Sequence, residues 1–294
     1  MTTLIRRLRP VLTTGQQKAM GALIRRGRIP RLGFQHYFIE DEGLRSRIHL
    51  QNFWSTFFPD VATTVTGRIQ VFSSSGRALG DRAFTLAPFG SLFLEMHDVL
   101  AELGAAECEG SLTIDLEPPQ AVIDQVAAFP LDEPWSLRFQ TPFWMAYYDD
   151  AENYMYVHSI DRFSGAFYGV PAPVDWFLRR KYGRTGEPWR AGRLLDLDGI
   201  SELQLVVVNH GTQAHKTTLG LYAPTDEAIW QKGIEVAPGA LKRVHIELDA
   251  VRVDGADRSE PLLARLGADP LLTANGKPYV LMRYGDGPLS LHHG

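Results

Sequence analysis

Nine histidines and several acidic pairs are the side chains in this chain whose types suit metal or acid–base chemistry. His158 and His293 each close a similar aromatic segment, His292 adjoins the second, and His210 and His215 flank a short loop. Zinc needs three or four such groups converging within about 2.1 Å of one point. The sequence has no His-Glu-x-x-His helix motif, and His292-His293 in a strand would point their rings to opposite faces. His158 and His293 stand as the candidate metal ligands. They define one functional expectation, a His/Asp-based, metal-dependent enzyme with its site near two closing hairpins.

The carboxylates are Asp149 with Asp150, Asp196 with Asp198, and the run Glu40-Asp41-Glu42. A glycosidase holds two carboxyls about 5 to 9.5 Å apart across a cleft, one with a raised pKa. These acids instead lie beside Gly or Asn, where turn-forming acids are ordinary. Asp196-x-Asp198-Gly199 lacks the further oxygens and closing Glu of a calcium loop. Neither a Gly-x-Ser-x-Gly elbow nor a Gly-rich phosphate loop occurs, and strand–helix alternation is nearly absent, which disfavours nucleotide and hydride chemistry. No cofactor is expected.

Aromatic and basic surface is the stronger signal. Trp176, Phe177, Arg179, Arg180, Lys181, Tyr182, Arg184, Trp189 and Arg190 interleave rings with cations, a composition suited to stacking on sugars and pairing with anionic groups. Trp144, Tyr147, Tyr148, Tyr154 and Tyr156 fit either a ligand platform or core and cross-strand pairs. The candidate ligand-binding residues are Trp176, Arg179, Arg180 and Tyr182, with Tyr148 and its apparent counterpart Tyr284.

The elements that must position these residues read as strands. From Phe34 onward, short β-branched and aromatic runs alternate with Gly, Pro, Asp and Ser at a period nearer two than 3.6. The pattern predicts strands over Phe34–Ile39, Arg47–Trp54, Arg68–Phe72, Ala83–Leu86, Leu92–Met96 and Ser111–Leu116. It predicts a short helix near Val99–Leu103 and another opened by Pro118-Pro119, then a hairpin from Pro142 to His158.

That hairpin returns near the end of the sequence, with Pro142 matching Pro278, Tyr148 matching Tyr284, Asp150 matching Asp286 and, one deletion later, His158 matching His293. Leu194–Ile200 echoes Phe38–Leu44, and Leu203–Asn209 echoes Ile48–Asn52. Leu219–Tyr222 echoes Thr66–Ile69, and Val236-Ala237-Pro238-Gly239 echoes Leu86-Ala87-Pro88-Phe89-Gly90. Echoes in the same order across more than a hundred residues predict two copies of a whole domain. Many short strands with little helix predict an all-β chain of two tandem antiparallel β-sandwiches, with a pair of small barrels as the other arrangement. The succession of strand, acidic-glycine turn, strand and Ala-Pro-Gly turn resembles immunoglobulin-like or fibronectin-like modules in general.

The expected organisation is therefore a basic arm with one short amphipathic helix over residues 1–33, a first sandwich over 34–159, an aromatic and basic linker over 160–189, and a second sandwich over 190–294. The arm carries eight basic residues and no acid, so a net charge of −4 leaves −12 on the rest. Such an arm suits docking on its own acidic body or peripheral contact with an anionic membrane. A nucleic-acid partner is not expected. Cys108 is the single cysteine, read as a buried thiol, so nothing points to an oxidising compartment. No apolar run reaches transmembrane length and no signal peptide is evident, so a cytoplasmic location is expected. The leading functional expectation is a non-catalytic tandem-sandwich binding or adaptor protein, recognising a protein partner, a glycan or another polar or anionic ligand at the junction of its two halves.

Overall fold

A computed structural model describes residues 34–41, 43–117, 119–128, 143–158, 189–190, 194–209, 214–251, 262–268 and 278–293. The expected arm helix and the candidate residues Trp176, Arg179, Arg180 and Tyr182 lie outside these residues.

In the first half, β1 (Phe34–Ile39), β2 (Arg45–Gln51), β3 (Val65–Ser73), β4 (Ala78–Leu86), β5 (Ser91–Glu95), β6 (Glu109–Glu117), β7 (Phe143–Tyr148) and β8 (Tyr154–His158) form two antiparallel sheets, ordered β1-β6-β3-β4 and β5-β2-β7-β8. The second half contains β9 (Trp189–Arg190), β10 (Leu195–Asp196), β11 (Ile200–Val208), β12 (His215–Tyr222), β13 (Ala228–Val236), β14 (Leu241–Ile246), β15 (Leu263–Ala268), β16 (Tyr279–Tyr284) and β17 (Ser290–His293). Its sheets run β10-β15-β12-β13, with β9 beside β15, and β14-β11-β16-β17. The chain is thus all-β, with two sandwich-like domains of matching strand order.

Registers align the halves more closely than the sequence echoes do. The β3–β4 ladder slips between Val71 and Phe72, and the β12–β13 ladder slips between Leu221 and Tyr222. These bulges superimpose Phe72 on Tyr222, so Gly220 matches Gln70, not Gly67 as the echo implied. In the closing hairpins, Trp144 pairs with His49 and His158, while Tyr279 pairs with Val206 and His293. With Trp144 aligned on Tyr279, the unbroken ladders Arg45–Tyr148 and Glu202–Arg283 bring Tyr148 into line with Arg283 and not Tyr284, and the bulge between Ile200 and Glu202 follows beyond that pair. The pairing of His158 with His293 is retained.

Local chemistry sets the remaining elements. The expected strand through Trp54 stops at Gln51, because the Asn52 side chain accepts from the Ser55 N–H and starts helix α1 (Phe53–Phe57). Asn52 and Asn209 are both buried at the Ala-Pro turns: Asn52 Nδ2 donates to the Thr63 and Ala87 carbonyls at 2.8 and 3.0 Å, and Asn209 Nδ2 to the Val236 carbonyl at 2.9 Å. Helix α2 (Met96–Glu102) begins three residues earlier than expected, and α3 (Gln120–Ala128) follows Pro119. The short α4 (Leu248–Val251) takes the place of α2 in the second half. Cys108 is exposed, contrary to the buried reading, since it precedes β6 at its open end.

Burial distinguishes the two halves. On β2, Ser46, Ile48 and Leu50 are buried while Arg45, Arg47, His49 and Gln51 face outward. On β11 every residue from Leu203 to Val208 is buried. Leu203, Leu205 and Val207 pack in the second sandwich, whereas Val206 and Val208 join Leu241, Tyr279, Leu281 and Leu291 in the first half's core. The outer face of sheet β14-β11-β16-β17 is therefore covered by the first half around Val206, Val208, Leu241 and Tyr279, where the sheet lies between two apolar layers, and His245 at its other end is exposed.

Polar contacts fix this joint. Tyr37 N–H donates to the Tyr279 hydroxyl at 3.3 Å, that hydroxyl lies 3.0 Å from His36 Nδ1, and the Tyr147 hydroxyl donates to the Tyr37 carbonyl at 2.6 Å. Leu241 N–H donates to the Ser74 carbonyl at 3.0 Å, and Arg243 pairs with Glu109 at 3.5 Å. Gly76, with φ +84, brings the β3–β4 turn so close to the β13–β14 turn that a Cβ there would stand 2.7 Å from the Pro238 carbonyl oxygen.

Candidate functional site

The positions that the joint covers in the second half are open in the first. Alternation along β2, β5, β7 and β8 brings Arg45, Arg47 and His49, Phe93 and Glu95, Trp144 and Tyr148, and Tyr154 and Tyr156 to one outer surface. Phe93, Tyr156, Trp144 and Tyr154 expose 60, 52, 41 and 36% of their area. Their order is set by register: Phe93, His49 and Trp144 share one cross-strand row, Glu95, Arg47, Ala146 and Tyr156 the next, and Arg45, Tyr148 and Tyr154 the third.

Contacts within the face hold the rings. His49 meets Phe93 at 4.5 Å and Tyr156 at 5.5 Å between ring centroids, edge to face in both cases. Tyr148, Tyr154 and Tyr156 stack in sequence at 5.1 and 6.1 Å. The Arg47 guanidinium lies 5.0 Å from the Tyr148 ring and 5.5 Å from the Tyr154 ring, a cation–π position, and donates to the Tyr154 hydroxyl at 3.1 Å. Glu95 receives Arg47 Nε at 2.5 Å and the Tyr148 hydroxyl at 2.7 Å. Arg45 pairs with Asp150 at 3.0 Å, in a solvent-exposed geometry that adds little stability.

Electrostatics keep the face close to neutral. Each arginine carries a carboxylate partner, and burial, reinforced by the Arg47 charge, lowers the His49 pKa and favours the uncharged imidazole. Burial and the bond to Glu95 push the Tyr148 hydroxyl up to about 12. Behind the face, burial is the chief reason that Glu40 rises to about 7, with Glu95 and Asp98 adding to it; its Oε1 accepts the Ser46 N–H at 2.8 Å. Its second oxygen lies 4.0 Å from His97 Nδ1. Glu40 is mostly enclosed, so it supports the β1–β2 corner and does not front the open face.

The aromatic segment singled out in the sequence divides by strand parity. Tyr147 is buried in the core, Tyr148 lies under Arg47, and Trp144, Tyr154 and Tyr156 reach solvent. Tyr284 is half exposed at the end of β16, outside the row that contains Tyr148's counterpart. His158 and His293 end β8 and β17, two edge strands that meet where Leu291 N–H donates to Met155 Sδ. Among the described residues no group of three or more His, Cys, Asp or Glu is placed to hold a metal ion. Asp149 is a turn acid, accepting from Ala151 N–H and both nitrogens of Asn153, bonds that lower its pKa. Arg47, His49, Phe93 and Glu95 were not singled out from sequence. Their signal was the polar parity of Arg45-Ser46-Arg47-Ile48-His49-Leu50-Gln51 beside an outward Phe93.

Comparison with known proteins gives no family. No family model and no curated protein matches the chain. Among solved structures, a Bacteroides fragilis protein assigned as a β-galactosidase has a TM-score of 0.16 at 11% identity, over 88% of this chain and 32% of that one. A calcium-binding mutant of Bacteroides uniformis β-glucuronidase 2 has a TM-score of 0.17 at 10% identity, over 89% of this chain and 26% of that one. A glycosyl hydrolase family 2 member from Bacteroides cellulosilyticus has a TM-score of 0.14 at 8% identity, over 88% and 27%. The chain spans a third or less of each. Likeness at this level carries no argument about function. No helix among the described residues is long and apolar enough to cross a membrane.

Proposed function

We propose that this protein is a non-catalytic glycan-binding or adaptor protein whose principal binding surface is the outer face of sheet β5-β2-β7-β8. One observation carries the reading: a contiguous set of exposed rings, Phe93, Trp144, Tyr154 and Tyr156, stands on a regular sheet and is interleaved with hydrogen-bonding side chains. Exposed apolar patches rimmed by polar groups mark interaction sites. Sugars present C–H faces to aromatic rings and hydroxyls to polar neighbours, and this surface offers partners to both.

Divergence between the halves supports the assignment. We read the matching strand orders as two copies of one unit. The rows that hold Arg47, His49, Ser91, Trp144 and Tyr156 hold Gln204, Val206, Leu241, Tyr279 and Leu291 in the second copy. In the second copy Val206, Leu241, Tyr279 and Leu291 are buried in the joint with the first half, while the positions of Phe93 and Glu95 hold Arg243 and His245. The first copy's face is aromatic and hydrogen-bonding, the composition expected of a face that meets a sugar. The linker residues Trp176, Arg179, Arg180 and Tyr182 are proposed as a further contact at the junction, a cytoplasmic location is retained as a proposal, and the basic arm is proposed to touch anionic membrane.

A glycan array probed with the wild type, a Trp144→Ala, Tyr156→Ala variant and a Trp176→Ala, Arg180→Ala variant tests this. The first variant should lose about ten-fold or more in affinity. Equal binding by the wild type and that variant would remove the face from the function. Selective loss in the second variant would assign binding to the linker.

A further inference from the structure

The first sandwich exposes a second apolar surface, at the end where β4 turns into β5. Phe57 of α1 and Phe89 of the β4–β5 turn leave 47 and 58% of their area in solvent. Asn52 ties the two segments together. Its N–H donates to the Gly90 carbonyl at 2.8 Å and its Nδ2 to the Ala87 carbonyl at 3.0 Å, while its side-chain oxygen caps α1. Phe53 packs on Phe57 with ring centroids 4.1 Å apart. Residues 53–64 and 87–92 contain a single charged side chain, Asp60.

The backbone at Phe89 adds to the cost of this surface. Gly90 N–H donates to the Ala87 carbonyl at 2.9 Å around Pro88 and Phe89, and the second half repeats the turn, with Ala240 N–H on the Ala237 carbonyl at 3.1 Å around Pro238 and Gly239. Both third positions have positive φ, +58 at Phe89 and +70 at Gly239, where glycine alone avoids a steric penalty. Gly239 is buried against the Gly76 turn. Phe89 stays exposed, so burial within the chain offsets its strain only in part. A large ring kept both strained and wet is the mark of a contact made outside the fold.

Charge decides what covers it. At this end Val65 pairs with Leu86 and Thr66 with Glu117; further along the same sheet Phe34 pairs with Ile114, and Ile39 with Glu109. β1 therefore starts on the tip side and runs away from it. The sequence that leads into β1, residues 1–33, carries eight bases and no acid. An apolar, nearly uncharged tip beside a cationic segment complements a surface that is anionic at its headgroups and apolar beneath them.

We propose that the tip formed by Phe57 and Phe89 inserts into the surface of an anionic lipid bilayer, with the bases ahead of β1 supplying the attraction. This rests on the arm's membrane contact proposed above and adds the apolar site to it. It is independent of the glycan platform, since Phe89 lies in a turn off the open face.

Co-sedimentation of the full chain with vesicles of phosphatidylcholine containing about a quarter phosphatidylserine, and with phosphatidylcholine alone, tests it. The wild type should bind the mixed vesicles about ten-fold or more tightly than the neutral ones. Phe89→Gly should weaken binding by about five- to ten-fold, with a melting temperature equal to or above that of wild type because glycine suits the turn. Phe57→Ser should weaken it similarly, and the combined Arg25→Gln, Arg26→Gln, Arg28→Gln variant should lose the preference for phosphatidylserine. If both phenylalanine variants bind as wild type while the arginine variant fails, the arm contact stands and tip insertion is wrong. If the wild type binds neither vesicle, both fall. Equal binding to the two vesicles would overturn the anionic surface, and weakened binding by Phe89→Gly together with a lowered melting temperature would reduce the ring to a structural role.

Discussion

Trp144 and Tyr279 occupy the same position in the two sandwiches, each the central-strand residue opposite the histidine that ends the edge strand, yet Trp144 exposes 41% of its area and Tyr279 only 1%. The same register position is a surface ring in the first half and an anchor of the joint in the second. Tyr279→Ala should lower stability by about 3–5 kcal/mol, the cost of deleting a buried ring. Tyr279→Phe, which keeps the ring and loses the bonds to Tyr37 N–H and His36, should cost about 1–3 kcal/mol. Trp144→Ala should cost clearly less than Tyr279→Ala, since 41% of its area is already in solvent, while weakening ligand. Urea unfolding of the three variants measures the contrast, and a comparable loss for Trp144→Ala would refute the surface role.

The two buried asparagines make a matched pair of predictions. Asn52→Ala leaves the Thr63 and Ala87 carbonyls without their side-chain donor, and Asn209→Ala does the same to the Val236 carbonyl. Each substitution should cost about 1–3 kcal/mol. The Asn52 variant should in addition loosen the start of α1, whose Ser55 N–H its side chain caps. Thermal melting measures both losses.

Gly76 tests the closeness of the joint. Alanine there meets both an unfavourable φ of +84 and the Pro238 carbonyl oxygen, so Gly76→Ala should destabilise by about 1–2 kcal/mol or more from the conformation alone. Gly43, with φ +76 but open space around its missing Cβ, separates the two effects. Gly43→Ala should suffer the conformational part only, and equal losses at the two sites would mean that the turns do not press on each other.

Glu40 sets a pH dependence of unusual sign for a carboxylate. Burial raises its folded-state pKa from 4.5 to about 7, so between those values the folded protein keeps a proton that the unfolded chain releases. Stability contributed by this group is present below pH 4.5, falls as pH rises through that window and is lost above it. Glu40→Gln keeps the oxygen that accepts the Ser46 N–H and removes the titration. Its melting temperature should exceed that of wild type by a few degrees at pH 8 and converge with it at pH 4. Parallel curves across that range would show that Glu40 does not carry the effect.

Alternation of residue types along the chain was enough to determine the all-β class and most strand positions, because side chains on a pleated strand point to opposite faces and one face must be apolar. Phe34–Ile39, for example, is strand in both the expectation and the structure. The Ala-Pro turns and the glycines at Gly43 and Gly199 were legible for a related reason, since positive φ narrows the residue choice; exposed Phe89, with φ +58 where Gly239 has +70, is the exception. Finer alignment was not legible. The Pro142–Pro278 echo runs one residue out of the register that aligns Trp144 with Tyr279, so Tyr148 and Tyr284 look equivalent in sequence and fall on different faces. Only the tertiary structure decided which sheet face would be open. The unbroken apolar run of Leu205 to Val208 and the alternation of Arg45 to Gln51 each report burial on two sides or on one. Neither names what covers the second side, because packing partners distant in sequence leave no local pattern. The joint around Tyr279 made that choice, and it left Phe93, Trp144 and Tyr156 facing solvent.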